Sequence, residues 1–227
     1  MTNSEIKQVL INNDVQHLYH TNTVETALSF LQCGGLLSRG LCIDMELPQT
    51  PQYTDALDKR CNIFYDIFFD STEIQRKTGY SSYGPVLFQY DINVLDIIKE
   101  GNIRITKTNP EKWLNTTNEA EKYFIELDEL SFCFDKENFG QHITLIDQRT
   151  PLSFEYLERI VLSNPQKDNN YLFEIAKKII EQAIEASTFD MSLEIRRYCY
   201  YPRFFEAYAN PQKLQKHFSL GGHANEL

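Results

Sequence analysis

Residues 18–40, LYHTNTVETALSFLQCGGLLSRG, decide the fold. They read as a short strand ending in His20-Thr21, a capped helix, a glycine pair, and a loop carrying Ser38 and Arg39. Asn22 stands three residues before Glu25, the spacing at which a cap side chain and a carboxylate satisfy each other's backbone amides. Val24, Ala27, Leu28 and Leu31 recur at helical spacing, and Gly34-Gly35 offers a positive-φ stop. The unit sets an imidazole, two hydroxyls and a guanidinium around one strand–helix–loop turn. Such groups can hold the ribose and phosphates of a nucleotide. Equally, His20 reads as a structural histidine satisfied by the backbone, and Arg39 as a surface arginine.

The chain around this unit has 227 residues, 42% of them hydrophobic and 13% aromatic, enough for a substantial core. No linker rich in Ser, Gly or Pro divides it. We expect a single domain over 1–227, with 165–227 a helical and aromatic C-terminal extension. No apolar run approaches the roughly 20 residues that span a bilayer, so no membrane partner is expected. The N-terminus MTNSEIKQVLINND lacks the basic and apolar regions of a signal peptide. The five cysteines form no C-x-x-C pair, which fits reduced thiols and a cytoplasmic location. A net charge of −10 repels phosphate backbones at long range and so speaks against a general nucleic-acid-coating role. It does not speak against engaging a few nucleotides in a local cleft.

Outward from the unit, short strands and helices alternate without a βαβ run bearing a Gly-rich turn, which predicts an α+β fold. NIFYDIFFD (62–70) alternates as a strand, with Ile63, Tyr65, Ile67 and Phe69 on one face. Val86–Tyr90 reads as a buried strand, and Ile103–Thr106 and Ile143–Asp147 as extended runs. Glu119–Leu130 and Asn169–Ser187 read as helices, the second with a stripe of Leu172, Ile175, Ala176, Ile179 and Ala183. The tail GGHANEL is expected to be mobile.

Four further clusters carry chemistry. Asp44, Glu46, Asp55, Asp58, Asp66, Asp70 and Glu73 invite a metal-dependent nuclease. On a strand, however, Asp66 and Asp70 would lie about 13 Å apart, too far to share an ion. Tyr83, beside Ser81 and Ser82, can stack on a base or nicotinamide, or sit in an ordinary turn. Arg104, Thr106, Lys107 and Asn109 suit phosphate or base contacts at a strand end; the alternative is an exit loop with Trp113 packed beneath. Arg196, Arg197 and Arg203 alternate with Tyr198, Tyr200, Tyr201 and Phe204, the pairing that grips single-stranded nucleic acid. Those rings can equally pack into the core.

The order His-Thr, helix, Gly-Gly-Leu-Leu-Ser-Arg, aromatic strand and Tyr-Gly-Pro-Val-Leu-Phe strand resembles the front half of the DarT-like ADP-ribosyltransferase toxins. The RNA 2′-phosphotransferases of the same superfamily are more distantly similar. The resemblance covers roughly residues 17–162. It implies a split mixed β-sheet with flanking helices, NAD+ as substrate and no metal. It further implies a nucleic-acid acceptor (RNA or single-stranded DNA) and an antitoxin partner. Carried over, His20, Thr21, Ser38 and Tyr83 bind NAD+, His20 through the nicotinamide ribose, and Arg39 serves the phosphates or the acceptor. Arg104, Lys107, Arg196, Arg197 and Arg203 face the nucleic acid. The family's glutamate should stand near the start of the late strand, where this chain has Gln141-His142; Glu121 and Glu137 are the nearest carboxylates. Two alternatives accompany this reading: the metal-dependent nuclease, and a non-catalytic NAD-binding or antitoxin-binding module on the same fold.

Overall fold

A computed structural model describes residues 1–49, 61–71, 84–134, 141–164 and 170–196. Tyr83, Glu137, Arg197 and Arg203 lie outside them, as do Asp55, Asp58, Glu73 and the tail.

Helix α1 (Asn3–Asn12) starts on a reciprocal cap between Thr2 and Glu5. Strand β1 (His17–Asn22) and helix α2 (Val24–Cys33) follow. The strand runs past His20-Thr21 because Thr23, not Asn22, caps α2. The Thr23 hydroxyl accepts from the Thr26 amide, while Asn22 Oδ1 accepts from the Thr23 amide at 2.9 Å. Gly34 ends α2 at φ 70°, the left-handed stop its position demands. Strand β2 (Gly35–Leu36) leads into helix α3 (Arg39–Asp44), where the sequence reads as a loop. Ser38 makes the difference: its hydroxyl accepts from the Leu41 amide at 3.3 Å and opens a helix.

The remaining elements are β3 (Ile67–Asp70), β4 (Val86–Asp91), a 3-10 turn (Ile92–Ile97), β5 (Ile103–Ile105), α4 (Glu119–Lys122) and α5 (Leu127–Phe134). Then come β6 (His142–Leu145), β7 (Leu152–Ser153), β8 (Leu157–Ser163), α6 (Asn170–Glu185) and β9 (Ser192–Arg196). Seven strands form one sheet in the order β5-β6-β3-β1-β4-β8-β9. Every neighbouring pair is antiparallel except β8 and β9. The architecture is α+β, as expected. One sheet face carries Leu18, Phe69, Phe88, Ile143 and Ile160 into a single core shared with α1, α2 and α6.

Three further elements depart from the sequence reading for identifiable reasons. Only the last four residues of NIFYDIFFD are strand. Ahead of them the Phe64 and Tyr65 carbonyls accept from the Gly40 and Gln148 amides, and Asn62 holds φ 57°, so the segment turns instead of pairing. The Glu119–Leu130 helix is broken at Tyr123, which bridges Thr106 in extended form while its ring packs 5.4 Å from that of Trp113. Trp113 is buried, and its indole N–H donates to Thr108 Oγ1 at 3.2 Å. In α6 the fully buried stripe is Phe173, Ala176 and Ile180, with Ile179 and Ala183 at its margin.

Candidate functional site

The sheet is nearly split in its middle. β1 and β4 pair over six residues, from His17↔Asp91 to Asn22↔Val86, whereas β1 and β3 pair only at Tyr19↔Asp70. His20 lies at the edge of that gap. Its imidazole packs 5.9 Å from the Phe30 ring and 5.8 Å from Phe69, on the core side. Its Nδ1 lies 2.9 Å from the Phe68 carbonyl across the gap. A carbonyl only accepts, so Nδ1 carries the proton and, in the neutral ring, Nε2 is left as an acceptor. Burial holds the His20 pKa below its ordinary value, against the Phe68 bond and the Asp70 charge, which both raise it. The result is a neutral imidazole able to accept a hydroxyl proton, the polarity a ribose diol requires.

β6 completes the site. Its register with β3 sets His142 opposite Asp70 and Thr144 opposite Phe68, so these four share the face away from Phe69 and Ile143. His142 Nδ1 lies 3.1 Å from Asp70 Oδ1, and the imidazole meets the Phe68 ring edge-on at 6.3 Å. The His142 amide donates to Thr106 Oγ1 at 2.8 Å, which fixes the start of the strand. Two buried polar atoms here, Gln141 Oε1 and Thr144 Oγ1, have no hydrogen-bond partner among the described residues. Leaving such atoms dry and unpaired costs about 1–3 kcal/mol each, a cost that a water or a polar ligand group would relieve.

The other candidates divide between this site and elsewhere. Thr21 is buried on β1, one residue past His20. Ser38, besides capping α3, donates to the Gln148 carbonyl at 2.8 Å. Arg39 heads α3 half-buried, where the Gly40 amide ties the helix to Phe64, ahead of β3. Arg104 is paired in register with Thr144 and so joins the face of Asp70 and His142. Lys107 is engaged by Glu129 at 2.8 Å and lies over the Phe124 ring. Arg196 is ion-paired with Glu194. Glu121 closes the cap of α4, accepting from the Asn118 amide at 2.9 Å. Its carboxylate is thus engaged at a helix start, and the other candidate carboxylate, Glu137, is not described. Among the described residues no group of three or more His, Cys, Asp or Glu is arranged to hold a metal ion. Asp66, outside the strand, does not share a ladder with Asp70.

Asp70 and His142 are the site residues that the sequence did not single out as a pair. Their proximity follows from a β3–β6 register between segments more than 70 positions apart, for which a single sequence carries no signal.

A second polar feature lies beyond the N-terminal end of β3. A cavity of about 450 Å³ is lined by Tyr65, Asp66, Lys122, Tyr123, Asp147 and Arg149, among others. Burial pushes the Asp66 carboxyl up to about 6, a shift opposed by the bond it accepts from the Asp147 amide. Arg149 stacks 3.8 Å above the Tyr65 ring and bonds Asp147 at 2.6 Å.

No protein-family model matches the chain, and no curated protein matches it. Solved structures do. A DarT of Thermus sp. 2.9 in complex with ADP-ribosylated ssDNA superposes with a TM-score of 0.52 at 15% identity, covering 83% of this chain and 97% of that one. DarT of the same organism in complex with NAD+ gives 0.45 at 12% identity, covering 83% and 98%. Thermosipho africanus DarTG in complex with ADP-ribose gives 0.46 at 11% identity, covering 84% and 51%. The first of these likenesses carries the assignment: the chain has the DarT-type fold, the split-sheet architecture its residues 17–162 resemble.

Proposed function

We propose that this protein is an NAD+-dependent mono-ADP-ribosyltransferase that modifies a base of single-stranded nucleic acid, with single-stranded DNA the favoured acceptor. One observation carries the reading: at the split of a DarT-type sheet stands a neutral His20 whose Nε2 is an acceptor. The nicotinamide ribose lies against His20 in this reading, its hydroxyls donating to Nε2 and to the unpaired Gln141 Oε1. Arg39 meets the phosphates, and Tyr83 stacks on the nicotinamide. Cleavage of the glycosidic bond develops oxocarbenium character on the ribose, and the base of the acceptor attacks its C1′. DNA is favoured over RNA because the Thermus DarT of like fold is bound to ADP-ribosylated ssDNA. Unregulated modification of DNA stops replication, so we assign the chain a toxin's role, held in check by an antitoxin and available against phage.

The test is nicotinamide release from NAD+ with single-stranded DNA, RNA and protein supplied separately. Transfer to DNA supports the reading, and no release with any acceptor overturns it. His20→Ala and Arg39→Ala should each relieve growth arrest in cells; arrest unchanged in both removes the site assignment. One observation favours a second reading. An amide, Gln141, stands at the start of β6 where the resemblance implies a carboxylate. A non-catalytic NAD+-binding module accounts for that, and its signature is tight NAD+ binding without turnover.

A further inference from the structure

We propose that Tyr65 is the positioning residue that fixes helix α3, and with it the Arg39 side chain, beside β3. The inference rests on the transferase reading above, in which Arg39 meets the phosphates of NAD+. It deepens that reading by naming what holds the arginine in place.

Helix α3 cannot hold itself. It has six residues, and an isolated helix shorter than about 12 residues is marginal in water. It buries Gly40, Leu41 and Cys42, while Ile43 and the following Met45 stay 51% and 44% exposed. With so little apolar surface covered, its orientation depends on what else grips it.

The grip comes from the two residues just ahead of Asp66 and β3. The Phe64 carbonyl accepts from the Gly40 amide at 2.6 Å, in the first turn of the helix. The Tyr65 hydroxyl donates to Asp44 Oδ2 at 2.8 Å, at the helix's last residue. The Tyr65 ring also lies so near the helix that a Cβ on Gly40 would stand 2.7 Å from its Cε1. A glycine beside Arg39 is what lets ring and helix meet. Tyr65 thus touches α3 one residue after Arg39 and again at its end.

Tyr65 is itself held. The Arg149 guanidinium stacks 3.8 Å above its ring and is bonded to Asp147 at 2.6 Å. The Tyr65 carbonyl accepts from the Gln148 amide, and the Gln148 carbonyl accepts from the Ser38 hydroxyl that caps α3. The circuit closes on itself: cap, helix, entrance to β3 and the loop after β6. The bond to Asp44 raises the Tyr65 pKa, so the phenol stays a donor at neutral pH. Tyr65 stands two residues ahead of β3, the strand that meets β1 only at Tyr19↔Asp70. One wall of the split and the helix that carries Arg39 are therefore joined through Tyr65. A guanidinium binds phosphate through a directed fork, so a shift of α3 costs affinity even with the arginine present.

Transfer to single-stranded DNA at varied NAD+, with NAD+ affinity measured separately, tests this in the full chain. Tyr65→Ala is expected to raise KM and Kd for NAD+ about tenfold with kcat nearly unchanged, the pattern of lost ground-state binding. Tyr65→Phe keeps the ring against Gly40 and gives up the Asp44 bond, so its KM should rise by a smaller factor. Arg39→Lys keeps the charge and loses the fork, and adding Tyr65→Ala to it should change KM little, because residues that act through one another are not additive. Wild-type KM in both Tyr65 variants overturns the proposal and leaves the transferase reading standing. An equal rise from Tyr65→Ala with and without Arg39→Lys overturns it too, since a merely structural tyrosine behaves that way. Wild-type protein that binds no NAD+ overturns both.

Discussion

Two buried titratable groups respond to pH in opposite directions, and each reports on its surroundings. Burial keeps His20 neutral, so folding resists its protonation. That contribution is present above the ordinary histidine pKa of about 6.5 and is lost as pH falls through the lower folded value. Asp66 has its pKa raised to about 6 from 3.8, so the folded protein holds a proton that the unfolded chain has released. Stability therefore declines as pH rises across that window, by an amount on the order of 3 kcal/mol when complete. Asp66→Asn keeps an oxygen for the Asp147 amide and removes the charge. Its melting temperature should exceed the wild type's at about pH 8 and match it at about pH 4; an Asn variant less stable at the higher pH contradicts the burial account. His20→Ala should cost about 1 kcal/mol of stability through the lost Phe68 bond while removing detectable NAD+ binding, read by calorimetry.

At the scale of elements, β1 and β4 form the firm wall of the split. They pair over six residues, and Gly84 lets the chain enter β4 beside the end of β1. At Gly84, with φ 153°, an added Cβ would lie 2.1 Å from the Asn22 carbonyl oxygen, a collision with the neighbouring backbone that no rotamer relieves. Gly84→Ala should lose roughly 3 kcal/mol in denaturant unfolding, and a loss within the usual surface range would show that the two strands can part. This element scale also shows what the sequence could reveal. β1, α2 and the Gly34 stop were legible because helical periodicity and a glycine act within a dozen residues, although the cap falls on Thr23 and not on Asn22. The break at Tyr123 was not, because an uninterrupted helical pattern there is overridden by pairing with Thr106 and packing on Trp113. In the site, His20 was visible as a strand-borne imidazole, but the Asp70–His142 couple depends on the register of distant strands. The sequence offers Ser38 as a ligand group, and the fold also uses its hydroxyl to cap α3 and to donate to the Gln148 carbonyl. A sequence shows a side chain's capacity to bond, not which partner the fold supplies.

At the scale of the molecule, the proposed reaction brings an acidic chain, with net charge −10, to a polyanion. Long-range attraction cannot assemble that complex, so contact depends on the few cations near the site, and raising salt should weaken DNA binding only slightly. NAD+ bound in the split should raise the global stability, by about 2.7 kcal/mol at a hundredfold excess over its Kd. Thermal melts with and without the dinucleotide measure this, and no shift at saturating NAD+ contradicts a pocket between β1 and β3. The decisive measurement is incubation of the purified protein with NAD+ labelled in the adenylate half and single-stranded DNA, following both free nicotinamide and labelled DNA. The split-sheet account predicts that the two appear together in equal amounts and that both vanish with His20→Ala. Neither product from the wild-type protein, with DNA, RNA or protein as acceptor, would contradict it.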